Sequence, residues 1–146
     1  MPNLEKINRE DLVDFLNVKP SAVSPSWAII GVGITDKATD YNTEKTEEKW
    51  IINKNKNVTI DGYGLNSGVE QTCYKGDEVF EFIDDIRYRL KTGADAQTTL
   101  LEIDKYSVTD EKTKPKYRAR LWTVAIEITS HGGETAKINY TINYVG

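Results

Sequence analysis

The chain has 146 residues, a formal net charge of −4 and Lys/Arg dispersed along its length. That length supports one core but not two independent ones, and mild acidity without a basic cluster argues against a nucleic-acid backbone reader. A single cysteine, Cys73, excludes an intrachain disulfide and a cysteine metal cage. The opening Met1-Pro2-Asn3-Leu4-Glu5-Lys6 holds no apolar signal region, and no stretch has the length of a membrane span. The expectation is a soluble protein made in a cytoplasm.

Residues 1–26 are expected to form an N-terminal arm. Within it, residues 8–17 put Leu12, Phe15 and Leu16 on one side of a short helix, and Pro20 and Pro25 punctuate the connector that follows. The remaining residues, 27–146, read as a single domain. The apolar run Trp27-Ala28-Ile29-Ile30-Gly31-Val32-Gly33-Ile34 predicts a strand that its glycines bend or open to close backbone approach. Residues 35–57 are an extended polar loop. Its charged run Glu44-Lys45-Thr46-Glu47-Glu48-Lys49 reads as a solvated face, yet it ends in Trp50-Ile51-Ile52. Such a cluster needs cover, and a partner chain is one source of it.

A short strand is expected over residues 58–63 and another over 69–74. Lys75-Gly76 then turns the chain into its one helix, residues 77–91. Val79, Phe82, Ile83, Ile86 and Leu90 recur on a single helical stripe. Asp77 suits the N-cap, Gly93 the left-handed residue that closes a helix, and the charges at each end suit the macrodipole. Residues 98–106 alternate Leu101 and Ile103 against Glu102 and Asp104, and residues 109–116 form a polar connection. Residues 120–129 place Trp122, Val124, Ile126 and Ile128 on one face. Residues 137–144 do the same with Ile138, Tyr140, Ile142 and Tyr144, across a Gly132-Gly133 hairpin turn. The class is therefore mainly β (α+β), antiparallel, with one helix lying across a sheet or plugging the end of a sandwich.

Reactive groups are few. His131 is the sole histidine and sits in an expected turn, and no nucleophile elbow precedes it. Asp84-Asp85 point about 100° apart on a helix, and Glu47-Glu48 take opposite faces of a strand. Gly31-Val32-Gly33 begins a dinucleotide fingerprint, but Asp36 stands at the third glycine and no helix follows. The sequence thus assigns no catalytic, cofactor-binding or metal-ligating residue, and the expectation is no enzyme and no cofactor. Function is expected to lie in surfaces. Long strands with few Pro or Lys guards favour edge-to-edge association of copies, closed into a ring when the rotation allows.

The order of these features, from the Trp27-to-Ile34 run through Glu47-Glu48-Lys49-Trp50-Ile51 and Lys75-Gly76-Asp77-Glu78-Val79-Phe80-Glu81-Phe82-Ile83 to the closing Asn143-Tyr144-Val145-Gly146, resembles the major tail (tail tube) proteins of long-tailed bacteriophages. The resemblance covers residues 24–146. It implies an antiparallel β-sandwich or partly closed barrel with one flanking helix. It also implies hexameric rings stacked as a hollow tube in the virion tail, through which DNA passes without specific binding. Other tail proteins, such as the tape measure and terminator, are implied partners, and no membrane is involved. The subunit-interface candidates are Trp27, Tyr41, Trp50, Ile51 and Ile52. The lumen candidates, polar members of alternating strands, are Glu70, Thr72, Thr123, Glu127 and Thr129. A lysine-poor, acidic lumen would repel DNA.

Two alternatives stand beside this. The tubes of contractile injection systems and bacteriocins share the implied fold. Eight tyrosines and three tryptophans would also suit a carbohydrate- or ligand-binding β-sandwich.

Overall fold

A computed structural model describes residues 4–109 and 116–145. The polar connection expected at 109–116 therefore lies, at 110–115, outside the described residues, as do residues 1–3 of the arm.

Six strands form one antiparallel sheet. In chain order they are β1 (Leu12–Asn17), β2 (Trp27–Ile29), β5 (Asn66–Thr72), β6 (Gln97–Thr109), β7 (Lys116–Gly132) and β8 (Lys137–Tyr144). Their spatial order is β2-β1-β6-β7-β8-β5. The remaining strands, β3 (Glu44–Glu48) and β4 (Asn57–Gly62), pair only with each other, as a ribbon. The single helix α1 (Glu78–Arg89) packs on one face of the sheet. The fold is thus the mainly antiparallel β structure with one flanking helix that the periodicities predict.

The helix begins as expected. Asp77 is its N-cap, accepting from the Phe80 amide at 3.3 Å, and Val79, Ile83 and Ile86 are buried. Its end differs. Leu90, not Gly93, takes the left-handed conformation (φ 52°, ψ 47°), with its amide on the Arg87 and Ile86 carbonyls and the Lys91 amide returning to Ile86. Leu90 therefore leaves the stripe and is exposed. Gly93, also left-handed at φ 58°, starts a separate short 3-10 turn.

The segment 8–17 is not a helix. A 3-10 turn over Arg9–Asp11 leads into β1, where Leu16 is fully buried opposite Leu100 of β6. Leu12, Phe15 and Leu16 fit a helical stripe, but in β1 Phe15 takes the face opposite to Leu12 and Leu16, and pairing with β6 overrides the local pattern. Part of the expected arm is thus core.

The run 27–34 is strand only through Ile29. Beyond it, residues 30–40 form a seam that ties together the two margins of the sheet. The Ile30 amide donates to the Asp14 carbonyl of β1, at one margin. The Gly33 carbonyl accepts from Thr72 of β5, at the other, at 2.9 Å. Gly33 has φ 76°, and a Cβ there would strike the Thr72 carbonyl oxygen, so glycine is required at this crossing. Farther on, Ala38 accepts from the Ser67 hydroxyl, and Asp40 and Asn66 exchange both backbone bonds. Lys37, in the stretch expected to be an extended polar loop, is buried and pairs with Asp14 at 2.8 Å.

Gln71 joins seam, sheet and helix. Fully buried on β5, its amide donates to the Val32 carbonyl at 3.0 Å and to the Asp77 carboxylate at 2.7 Å, while its oxygen accepts from the Tyr140 hydroxyl at 2.9 Å. Burial first, and the Asp77 carboxylate second, hold the Tyr140 hydroxyl protonated well above its ordinary value of 10.0.

Two outcomes follow from this junction. Gln71→Ala leaves a buried hydroxyl, a carbonyl and the cap carboxylate without that partner and should cost roughly 2–4 kcal/mol in denaturant unfolding. The raised Tyr140 value means that this group's stabilisation is complete below pH 10 and is lost as pH rises, because the unfolded chain ionises there first. Unfolding free energies of Tyr140→Phe measured above pH 10 should fall less steeply with pH, by up to about 1.4 kcal/mol per pH unit. Tyr144 and the Cys73 thiol, both raised first by burial, add slope in the same direction.

Candidate assembly surfaces

The helix-side face of the sheet changes character along its length. Beside α1 it is apolar: Leu100, Val124, Ile126, Ile138, Tyr140 and Ile142 are buried there. Toward the open end of β6 and β7, the same face carries directly opposed ion pairs, Glu102 with Arg120 and Asp104 with Arg118. The Arg120 guanidinium lies 5.2 Å from the Trp122 ring centre, and that of Arg118 lies 5.6 Å from Tyr106. Tyr41 and then Glu102 raise Arg120 further above its ordinary value, fixing it as a cation.

These groups line an open cleft of about 710 Å³ that also includes Asp14 and Lys37. Its chemistry is that of matched pairs. Four cations face three carboxylates, and each carboxylate already has a bonded partner. No histidine or cysteine lines it. Cys73 lies elsewhere, its thiol pushed up by burial and then by Asp84, away from nucleophilic character. His131 is exposed on β7, next to the left-handed Gly132 and Gly133 of the turn into β8. Among the described residues, no three His, Cys, Asp or Glu side chains are grouped to hold a metal, and no helix is long and apolar enough to cross a membrane.

The face away from the helix follows from the register. Glu70 lies opposite Asn139, and Glu127 opposite Thr141. Glu70, Thr72, Thr123 and Glu127 therefore share this face, and the exposed Thr129 sits beside them in a bulge between Ile128 and Ser130. The fold brings these five lumen candidates together. Their charge is partly offset, since Lys137 donates to Glu70 at 2.7 Å and Asn143 to Glu127 at 3.2 Å.

Leu101 and Ile103 are on this same face, not in the helix-side core. The register pairs Leu100 of β6 with Leu16 and Trp122, which turns its neighbour Leu101 the other way. Alternation alone identifies two faces; it does not say which one α1 covers.

The ribbon springs from the β5 margin. At its base, the Gly64 amide donates to the Tyr41 carbonyl, Asn42 donates to the Gly64 carbonyl, and the Tyr41 and Tyr63 rings meet edge to face at 6.1 Å. The Tyr41 hydroxyl accepts from Arg120 at 3.2 Å, which anchors the ribbon to β7. Beyond that base, every residue of β3 and all of β4 but its last are exposed, and so are Trp50, Ile51 and Ile52 at the tip. An isolated two-stranded ribbon is marginal in water, and an apolar tip adds to the need for cover. Of the interface candidates, Tyr41 is thus at the base and the 50–52 cluster at the tip. Trp27 stands apart, half-buried on β2.

No protein-family model matches the sequence, and no curated protein matches it. Among solved structures, the chain is similar to one in the tail of an empty GTA particle refined with C6 symmetry. The TM-score is 0.60, with 12% identity over 97% of this chain and 96% of that one. The two share their fold from end to end.

Proposed function

We propose that this chain is the structural subunit of a phage-like tail tube. Six copies close into a ring, rings stack into a hollow tube within the tail of a particle, and DNA passes along the lumen. The observation that carries this reading is the fold shared across almost the whole chain with a component of a C6-symmetric GTA tail. Six-fold closure needs a heterologous contact repeated head to tail. The uncovered ribbon supports such a contact, because its tip offers apolar surface that nothing else among the described residues hides.

In this reading the face bearing Glu70, Thr72, Thr123, Glu127 and Thr129 lines the lumen. Such a face is hydroxyl-rich, and its two carboxylates outnumber its one nearby lysine, Lys137, so it lets a polyanion slide without holding it. Trp27, Tyr41, Trp50, Ile51 and Ile52 lie at subunit contacts. The tape measure and terminator proteins of a tail are the expected partners at the lumen and at the tube's end. The protein acts as a building block and not as an enzyme.

Negative-stain microscopy of the purified protein over a rising concentration series tests the proposal. Rings or tubes of uniform width are expected, whereas a monodisperse monomer at every concentration would refute it. Replacing residues 44–61 with a short Gly-Ser turn should leave the circular-dichroism spectrum of a folded sheet protein and abolish tube formation. Tubes of normal length from that variant would remove the ribbon from the assembly.

A further inference from the structure

One row of side chains on the face away from the helix, next to the buried Val13 and to Ile103, is out of character with the polar part of that face over β7, β8 and β5. Ile29 of β2 lies opposite Phe15 of β1, Phe15 opposite Leu101 of β6, and Leu101 opposite Leu121 of β7. Four apolar side chains thus stand in line across four neighbouring strands. Ile29 is 52% exposed and Leu121 62%, and Phe15 and Leu101 are half-buried. On β7, β8 and β5 the same face turns to Thr123, Glu127, Thr141 and Glu70. A polar face with an apolar stripe at one end marks a contact, since an isolated surface leucine needs no explanation but a four-strand row does.

We propose that this row is the seat for the ribbon tip, Trp50-Ile51-Ile52, of a second copy of the chain. The inference rests on the tube reading and adds the surface that receives the tip. Three observations select this occupant. First, the tip and the row are both apolar, the tip is exposed, and the row is exposed at its ends, Ile29 and Leu121, with Phe15 and Leu101 half-buried between them. Second, their sizes agree. Four strands at about 4.8 Å spacing make a row about 14 Å long, and the tip is a turn, closed by the Asn53 amide on the Trp50 carbonyl, whose ends lie within about 7 Å and whose side chains widen it.

Third, the area fits a contact made many times but not a lone dimer. Covering one Trp and two Ile hides roughly 400 Å², and with the row's share roughly 800 Å² per contact, below the ~1,600 Å² of a standard interface. Every copy would make this contact twice, once with its tip and once with its row. Single contacts are then weak and closed assemblies strong, so assembly is cooperative. The ribbon leaves the β5 margin, whereas the row spans the opposite end of the sheet. The two surfaces are unlike, so the contact is heterologous.

The test uses full-length protein carrying Cys73→Ser, with Ile51→Cys and Leu121→Cys on the same chain. Under mild oxidation at assembling concentration, a ladder of intermolecular disulfides is expected on a non-reducing gel. A control pairing Ile51→Cys with Tyr88→Cys, on the exposed side of α1, should give at least tenfold less cross-linking. In parallel, Leu121→Lys, a change at a surface position, should keep the fold by circular dichroism and raise the concentration needed for assembly at least tenfold. Equal ladders from both cysteine pairs, or tubes that form normally from Leu121→Lys, would overturn the seat while leaving the tube reading intact. A wild-type protein that stays monomeric at every concentration would overturn both.

Discussion

The structure hangs on the closure of its own sheet. A six-stranded antiparallel sheet has two open margins, each a row of unsatisfied backbone groups. Residues 30–40 run on from β2, where the Ile30 amide adds one more bond to β1, and cover the β5 margin through Gly33 and Asp40. Gln71 fixes that crossing, because one buried side chain satisfies the Val32 carbonyl, the helix-capping Asp77 and the Tyr140 hydroxyl together. Sheet closure, helix placement and core are coupled through one residue. The buried Lys37–Asp14 pair locks the same seam farther along. Its worth is in geometry more than in net energy, since the desolvation of two charges offsets most of their attraction.

Closure on one side shifts the question of exposed surface to the other parts of the molecule. The sheet is apolar beside α1 and charged at the far end of that face. On the opposite face it is polar over β7, β8 and β5, and apolar across β2, β1 and β6. This diagonal exchange of polarity makes little sense for a solitary sandwich, which would be apolar inside and polar outside throughout. It suits a subunit that meets solvent and other subunits on different parts of one sheet.

Much of this was legible in the residues. The helix and the β7–β8 hairpin carry long, regular periods, and the resemblance to tail tube proteins agrees with the fold found. Of the five polar residues named as lumen candidates, Glu70, Thr72, Thr123 and Glu127 lie on one face of the sheet and Thr129 in the bulge beside them. What escaped notice was non-periodic. Gln71 and Lys37 are polar side chains in positions that composition assigns to solvent, and only their tertiary partners make them structural. Leu12, Phe15 and Leu16 fit a helical stripe, whereas the strand spreads its apolar residues over both faces and carries no alternation to mark it. Leu121 carries no signal of its own because its neighbours Trp122 and Val124 define the opposite face, and the alternation around Leu101 does not say which side α1 covers. Leu90 closes the helix although glycine stands three residues on, a choice made by the Ile86 carbonyl and not by residue preference.

The ribbon departs from one margin of the sheet, and the apolar row lies toward the other. If the tip of one copy seats on the row of the next, the molecule has direction, with a giving side and a receiving side that cannot be exchanged by any rotation. Any filament made from it inherits that arrow. A ring closed by that contact would use every tip and every seat, yet its two faces would still differ, so a stack of such rings could be started at one pole and stopped at the opposite pole by proteins of quite different shape.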